Sequence, residues 1–257
     1  MSFSTDWLAL RAPFDSAARA EKLEHRLAAW AATRAHNHSL SVVDLGAGSG
    51  NNRAHLGPRL GVEQRWTLVD SDDALLADAV RRHPDASVRQ GDLADDLGVL
   101  IPDGTDLVTA SALIDLVSKA WLTRLADRVR DLNCALLLVL TYDGRIDWEN
   151  GTAGDREIRD LVNRHQHGDK GLGPALGPDA PAALKALFPD LDAARSDWRV
   201  EAGQRAMRAA LVDGWAAAAT EIAADRAVGI ESWRVHATDE PRAVAVGHAD
   251  QLWLPSA

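Results

Sequence analysis

Short β-branched apolar runs recur along the first half of the chain, most of them closing on a polar or acidic residue: SLSVVDL at 39–45, RWTLVD at 65–70, SVRQGD at 87–92, TDLVTA at 105–110 and CALLLVL at 134–140. Near-continuous hydrophobicity over so few residues is the mark of a strand covered on both faces. Segments with helical spacing separate them, notably 71–82 and 118–132, the second charged on one side and apolar on the other. Ahead of the first strand, residues 16–34 are rich in Ala and Leu, with Leu23, Leu27 and Trp30 at helical intervals, and read as an amphipathic helix. Five buried strands alternating with helices predict a parallel sheet with helices on both faces.

Beyond Tyr142 the alternation stops. The pattern predicts a helix over 155–166, turn and loop over 167–181 where four Gly and three Pro fall, and a short helix over 182–188. A strand over 194–200, a long Ala-rich helix from about 203 to 224 and a last strand over 242–254 complete it. The sum is one α/β domain over 1–257 with a seven-stranded, mostly parallel sheet flanked by helices. Its first 38 residues form a helical extension, and its C-terminal half carries insertions.

Composition narrows what such a domain does. Against 38 Asp and Glu stand 28 Lys and Arg, a net charge of −10, which opposes attraction to polyanions and argues against a nucleic-acid substrate. No run approaches the length of a membrane span, and the first residues carry charges where a signal peptide needs an apolar stretch, so the expectation is a soluble cytoplasmic protein. The single Cys134 excludes an intrachain disulfide and a cysteine-cluster metal site.

The most informative stretch follows the first strand: Asp44-Leu45-Gly46-Ala47-Gly48-Ser49-Gly50. Glycines at alternate positions let the backbone turn tightly and bring its N–H groups against a ligand. The spacing is G-x-G-x-G, not the G-x-G-x-x-G of dinucleotide sites, and no Lys follows as a phosphate loop requires. Asp70 closes the second strand, twenty positions after Gly50, and Asp92 follows the third. Each acid alone is more often a helix cap or a loop residue than a ligand. Together they bring three carboxylates to the rim where open α/β sheets bind ligands.

Over roughly residues 40–145 the chain resembles the class I S-adenosylmethionine-dependent methyltransferases. The resemblance implies a Rossmann-like fold and S-adenosylmethionine as cofactor, with 39–145 as the cofactor-binding core and 146–257 as substrate-side insertions and last strands. It implies that Asp44, Gly46, Ala47 and Gly48 contact the methionine part. Asp70, with Ser71 beside it, is implied to hold the ribose, Asp92 and Leu93 the adenine, and Ser111 is expected beside the methionine group.

The acceptor is read by exclusion. Members that methylate exocyclic amines of bases often carry an Asp/Asn-Pro-Pro-aromatic motif after the fourth strand, whereas Thr109–Asp115 here has neither proline nor aromatic. Base C5 chemistry needs a nucleophilic cysteine, and Cys134 opens an apolar strand. A small-molecule methyl acceptor remains. Asp115 reads either as an acid favoured by a helix dipole or as a group pointing at the acceptor. Tyr142 is expected on the rim past the fifth strand. The polar segment from His165 to Pro178 is expected to be a mobile lid, with His165 the first choice for a general base because its ordinary pKa suits neutral pH. The pairs His165/His167 and His36/His38 lack a third ligand in register, so no metal is expected. Nine of thirteen aromatics are Trp, and Trp7, Trp148, Trp198 and Trp215 fall outside the five strands, as packing residues or as the floor of a pocket. Two other readings stay open: the same cofactor used for cyclisation or aminocarboxypropyl transfer, and a non-catalytic scaffold that keeps the fold.

Overall fold

The structure, a computed structural model, describes residues 4–35 and 38–256. The chain runs α1 (Thr5–Ala18), α2 (Glu21–Arg34), β1 (Leu40–Leu45), α3 (Asn51–Leu60), β2 (Gln64–Asp70), α4 (Asp73–Arg82) and β3 (Ser87–Gln90). It continues through α5 (Leu97–Leu100), β4 (Leu107–Ser111), α6 (Lys119–Asp131), β5 (Ala135–Trp148), α7 (Ala153–Gln166) and α8 (Ala180–Leu187). Last come β6 (Asp192–Arg195), β7 (Trp198–Val200), α9 (Arg205–Ile222), α10 (Ala227–Asp239) and β8 (Val244–Trp253).

The sheet order is β3-β2-β1-β4-β5-β8-β6, with β7 also pairing β8. The first five strands are parallel, and β8 runs antiparallel to β5, β6 and β7. From β1 the chain winds outward to β3, then returns to lay β4 on the other side, so the strand order reverses between β1 and β4 and a crevice opens above their C-terminal ends. Neighbouring apolar residues such as Val42/Val43, Leu107/Val108 and Leu136/Leu137 point to opposite faces, each into its own buried cluster. This is why the strands read as continuous hydrophobic runs.

Eight strands stand where seven were expected. The segment 194–200 is divided at Ser196 and Asp197, so that Asp192–Arg195 pairs with residues 249–252 of β8 and Trp198–Val200 with 244–246. The break is held from both sides: the Ser196 amide donates to His248 O, and Asp197 Oδ1 accepts the His248 amide at 3.3 Å. The fifth strand does not end near Leu140 but runs to Trp148, because Thr141, Tyr142, Ile146 and Trp148 continue the ladder with β8. It passes an irregularity at Leu140 (φ 53°), whose amide donates to Asp250 Oδ1 at 2.8 Å.

At the N-terminus, one expected helix is two. Arg19 and Ala20 interrupt it, since the Ala20 amide donates to Asp250 Oδ2 at 2.9 Å and the Arg19 side chain is buried beside Glu24 and Asp250. The helix α10 carries no strong helical stripe in the sequence. Packing fixes it instead: Ile230, Trp233 and Ala237 are buried, Trp233 Nε1 donates to Asp155 at 2.9 Å, and Arg208 Nη2 caps the carbonyls of Ala237 and Thr238 at 3.2 Å. Among the described residues no helix is long and apolar enough to cross a membrane.

Candidate functional site

Three glycines shape the turn from β1 into α3. Gly46, Gly48 and Gly50 have φ of 63°, 54° and 80°, a region L side chains rarely enter. A Cβ on Gly50 would lie 2.5 Å from His83 Cδ2, and one on Gly48 would press on Leu8 of α1 at 3.3 Å. The loop is held from below: Arg82 Nη1 donates to Ser49 O and Oγ at 2.8 Å and to Asn51 Oδ1 at 2.7 Å, and His83 Nε2 lies 2.9 Å from Gly50 O.

The three rim acids have different surroundings. Asp70 Oδ2 accepts the Gly48 amide at 2.8 Å and Oδ1 the Asp72 amide at 3.0 Å. Asp92 Oδ1 accepts the Ala94 amide at 2.9 Å, and the Leu93 carbonyl is fixed by Trp121 Nε1 at 2.6 Å. Asp44 is fully buried. Its Oδ1 accepts from Asn52 Nδ2 at 2.8 Å while Oδ2 has no partner, and burial, with the Asp70 charge adding, pushes its carboxyl up to about 7 against the pull of Asn52 and Arg19.

A cavity of about 620 Å³ opens over these strand ends. Gly46, Gly48, Asp70 and Ser71 form part of its wall, and Asp92, Leu93 and Ser111 another part, so seven of the nine residues implied for the cofactor meet at one chamber. Ala47 lines an adjoining cavity of about 460 Å³, and Asp44 lies beneath the loop. At the end of β4, Ala112 holds φ 51° as the chain turns between Ser111 and Leu113, a backbone strain of the kind that gathers at ligand sites.

The three candidate bases fall in different places. Asp115 sits in a single 3-10 turn, Ile114–Leu116, between Leu113 and Leu116, which both line the larger cavity. Its side chain is buried, Oδ1 has no partner, and burial pushes its carboxyl up to about 6. Tyr142 lies within β5 rather than on the rim, donates to Asn163 Oδ1 at 2.7 Å, and has its hydroxyl pKa raised by burial. His165, in the last turn of α7, places Nε2 2.9 Å from Glu221 Oε2 on α9 and is not on the wall of the larger cavity.

Two residues the sequence did not single out, and three from the segment expected as a lid, complete the wall. Leu8 and Arg11 come from α1, whose Trp7, Leu10 and Phe14 spacing could have revealed it. Lys170, Gly171 and Leu172 come from the Gly- and Pro-rich segment. That segment is partly tethered: Asp169 Oδ1 accepts the Gly171 and Gly173 amides at 2.7 and 3.1 Å, and the Leu176 amide donates to Val117 O.

His38 Nε2 is 3.4 Å from Asp106, and His36 lies outside the described residues. Among the described residues no three His, Cys, Asp or Glu side chains are grouped to hold a metal. Cys134 is buried, and burial pushes its thiol up to about 12. The Trp pairs Trp7/Trp198 and Trp148/Trp215 meet edge to face with centroids 6.2 and 6.0 Å apart, joining helices to the late strands.

The chain matches no protein-family model and no curated protein. Among solved structures it is similar to a cyclopropane-fatty-acyl-phospholipid synthase-like protein from Lactobacillus casei, with 14% identity over 94% of this chain and 98% of that one, TM-score 0.55. It is also similar to the YcgJ protein from Bacillus subtilis, with 16% identity over 91% of this chain and 100% of that one, TM-score 0.50. Several further matches span less than two thirds of the partner's length, such as Streptomyces venezuelae DesVI: 19% identity, 56% of this chain, 61% of that one, TM-score 0.39. At these identities the likeness establishes the fold.

Proposed function

Because the chain has the fold of the class I S-adenosylmethionine-dependent methyltransferases, we propose that it binds S-adenosylmethionine at the β1/β4 crevice and transfers the methyl group to a small-molecule acceptor. One observation carries the reading. The glycine loop, the Asp70 carboxylate and the Asp92-Leu93 pair share the wall of one chamber of about 620 Å³, a size suited to one drug-sized ligand.

The residues fit the cofactor. Each Asp70 oxygen already accepts one backbone N–H and keeps a second acceptor site, suited to the two ribose hydroxyls. Gly46 and Gly48 leave backbone without side chains for the methionine part. Asp44, at the end of β1 just before the loop, keeps Oδ2 buried and unpartnered, a spare acceptor on the side of the methionine part. Asp92 and Leu93 bring an acceptor and an apolar surface to the adenine end.

A sulfonium supplies an already activated methyl carbon, so the chain's part is to hold the nucleophile in line and keep water out. Lys170, Gly171 and Leu172 form part of the chamber wall. Where the acceptor must lose a proton, the role is assigned to Asp115, which is not itself on the wall but is flanked by Leu113 and Leu116, which are. Its carboxyl, raised to about 6, is largely ionised at neutral pH yet more basic than an exposed Asp. Calorimetric titration with S-adenosylmethionine tests the first half of the reading. Incubation with a metabolite extract and mass spectrometry for a product heavier by one methylene tests the second. Absence of binding would sink both.

A further inference from the structure

The turn that carries Gly48 is anchored at its far end by the residues that close α4. The Gly50 amide donates to Ala47 O at 2.9 Å, and the Gly50 carbonyl accepts from two sides, the Ala54 amide at 3.0 Å and His83 Nε2 at 2.9 Å. Next to His83, Arg82 holds Ser49 and Asn51. A Cβ at Gly50 would meet His83 Cδ2 at 2.5 Å, so ring and loop are packed with no room between them. In a close-packed contact of this kind a shift of the ring is passed to the loop.

His83 is 6% exposed, and both ring nitrogens are engaged. Gly50 O only accepts, so Nε2 carries the proton. Arg53 Nη1, 2.9 Å from Nδ1, only donates, so Nδ1 carries the lone pair. The partners therefore admit one tautomer of the neutral ring and exclude the charged one. Charged groups face it from three places: Arg53 on α3, Arg82 on α4 and Asp85 in the turn that follows. Asp85 pairs with Arg53 Nη2 and is 69% exposed, so one solvated carboxylate stands against two guanidinium groups. A proton on Nδ1 would turn an N–H towards Arg53 in place of the lone pair that Arg53 binds. Burial and the two arginines accordingly hold the imidazole pKa below its usual 6.5.

We infer that His83 is a positioning residue for the cofactor: its neutral ring presets the turn 47–50 through the Gly50 carbonyl, and taking up a proton releases that turn and weakens binding. The inference rests on the proposed cofactor reading and adds an acid-sensitive control to it. His83 itself lines neither cavity, so it acts only through the loop.

The test compares the full chain with His83→Gln, which keeps a donor at the Nε2 position without a titrating ring, and with His83→Leu, which has no donor. Calorimetry with S-adenosylmethionine from about pH 5 to 7.5 reads affinity. Hydrogen exchange over 46–51 in the ligand-free protein, corrected for its intrinsic pH dependence, reads the turn. Towards the acid end wild type should lose at least about fivefold more affinity than His83→Gln, with faster exchange over the turn. His83→Leu should be weakened by a similar factor already at neutral pH. The carboxyls, Asp44 among them, titrate in both wild type and His83→Gln, so the difference between those two curves belongs to the ring. Coinciding affinity curves, or a folded His83→Leu with wild-type affinity, overturn the positioning role. Should His83→Leu fail to fold, wild type and His83→Gln still decide. Should none of the proteins bind S-adenosylmethionine, the cofactor reading falls, and exchange over 46–51 still decides whether the ring sets the turn.

Discussion

The Gly48 amide donates a 2.8 Å hydrogen bond to Asp70 Oδ2, joining the turn after β1 to the acid that closes β2. The loop and the carboxylate are thereby set as one unit before any ligand arrives. Preorganisation of this kind lowers the ordering cost of binding.

Replacing Asp70 by Ala removes the acceptors proposed for the ribose and leaves the Gly48 amide without its partner. Affinity for S-adenosylmethionine should fall by at least about tenfold, since hydrogen bonds to a charged acceptor contribute about 1.5–3 kcal/mol each. The side chain is at the rim, so the melting temperature should change little. Unchanged affinity by calorimetry would remove Asp70 from the site.

Gly48→Val forces a β-branched residue to φ 54° and drives a Cβ towards Leu8. Binding should be lost while the protein stays folded, because the strain is local to a rim turn. A folded variant with wild-type affinity would show that the backbone does not approach the ligand there.

For an acceptor that must be deprotonated, Asp115 as base gives kcat/KM an ascending limb near pH 6, because burial raises its carboxyl to about 6 and the ionised form is the active one. Asp115→Asn should abolish that limb and lower turnover by roughly 100-fold. His165→Ala, whose imidazole is engaged by Glu221 on α9, should stay within about threefold of wild type. A 100-fold loss in His165→Ala with an unaffected Asp115→Asn would reverse the assignment.

Asp44 gives a stability test free of substrate. Its carboxyl, raised by burial to about 7 from the usual 3.8, binds a proton more tightly in the folded than in the unfolded state. Its contribution therefore weakens as pH rises from about 4 to 7. Urea unfolding across this range should show Asp44→Asn gaining on wild type with rising pH. A constant difference between the two proteins would mean that Asp44 is not desolvated as the structure shows.

Limited proteolysis addresses the segment over the chamber. Asp169 ties the Gly171 and Gly173 amides, and Lys170, Gly171 and Leu172 line the cavity. Cleavage at 168–173 should be suppressed when S-adenosylmethionine and acceptor are both bound. Equal cleavage in all states would make the segment a passive connector.

What the sequence by itself determined is local. Doubly buried parallel strands write themselves as runs such as Leu40–Leu45 and Ala135–Leu140, and a turn that needs positive φ at three positions writes itself as Gly46, Gly48 and Gly50. Because strand ends in such a sheet share one edge, the acids Asp70 and Asp92 could be placed around one site from order alone. Tertiary structure decided everything that depends on which distant surfaces meet. β5 runs on to Trp148 only because β8, about a hundred residues later, supplies the hydrogen-bond partners, and this draws Tyr142 into the sheet. Arg19 breaks the N-terminal helix only because Glu24, Asn52 and Asp250 converge on its buried guanidinium. Arg11 reached the wall of the site, and His165 a partner on α9, through the packing of α1 and α7, since neither side-chain environment is encoded within a turn of its own residue.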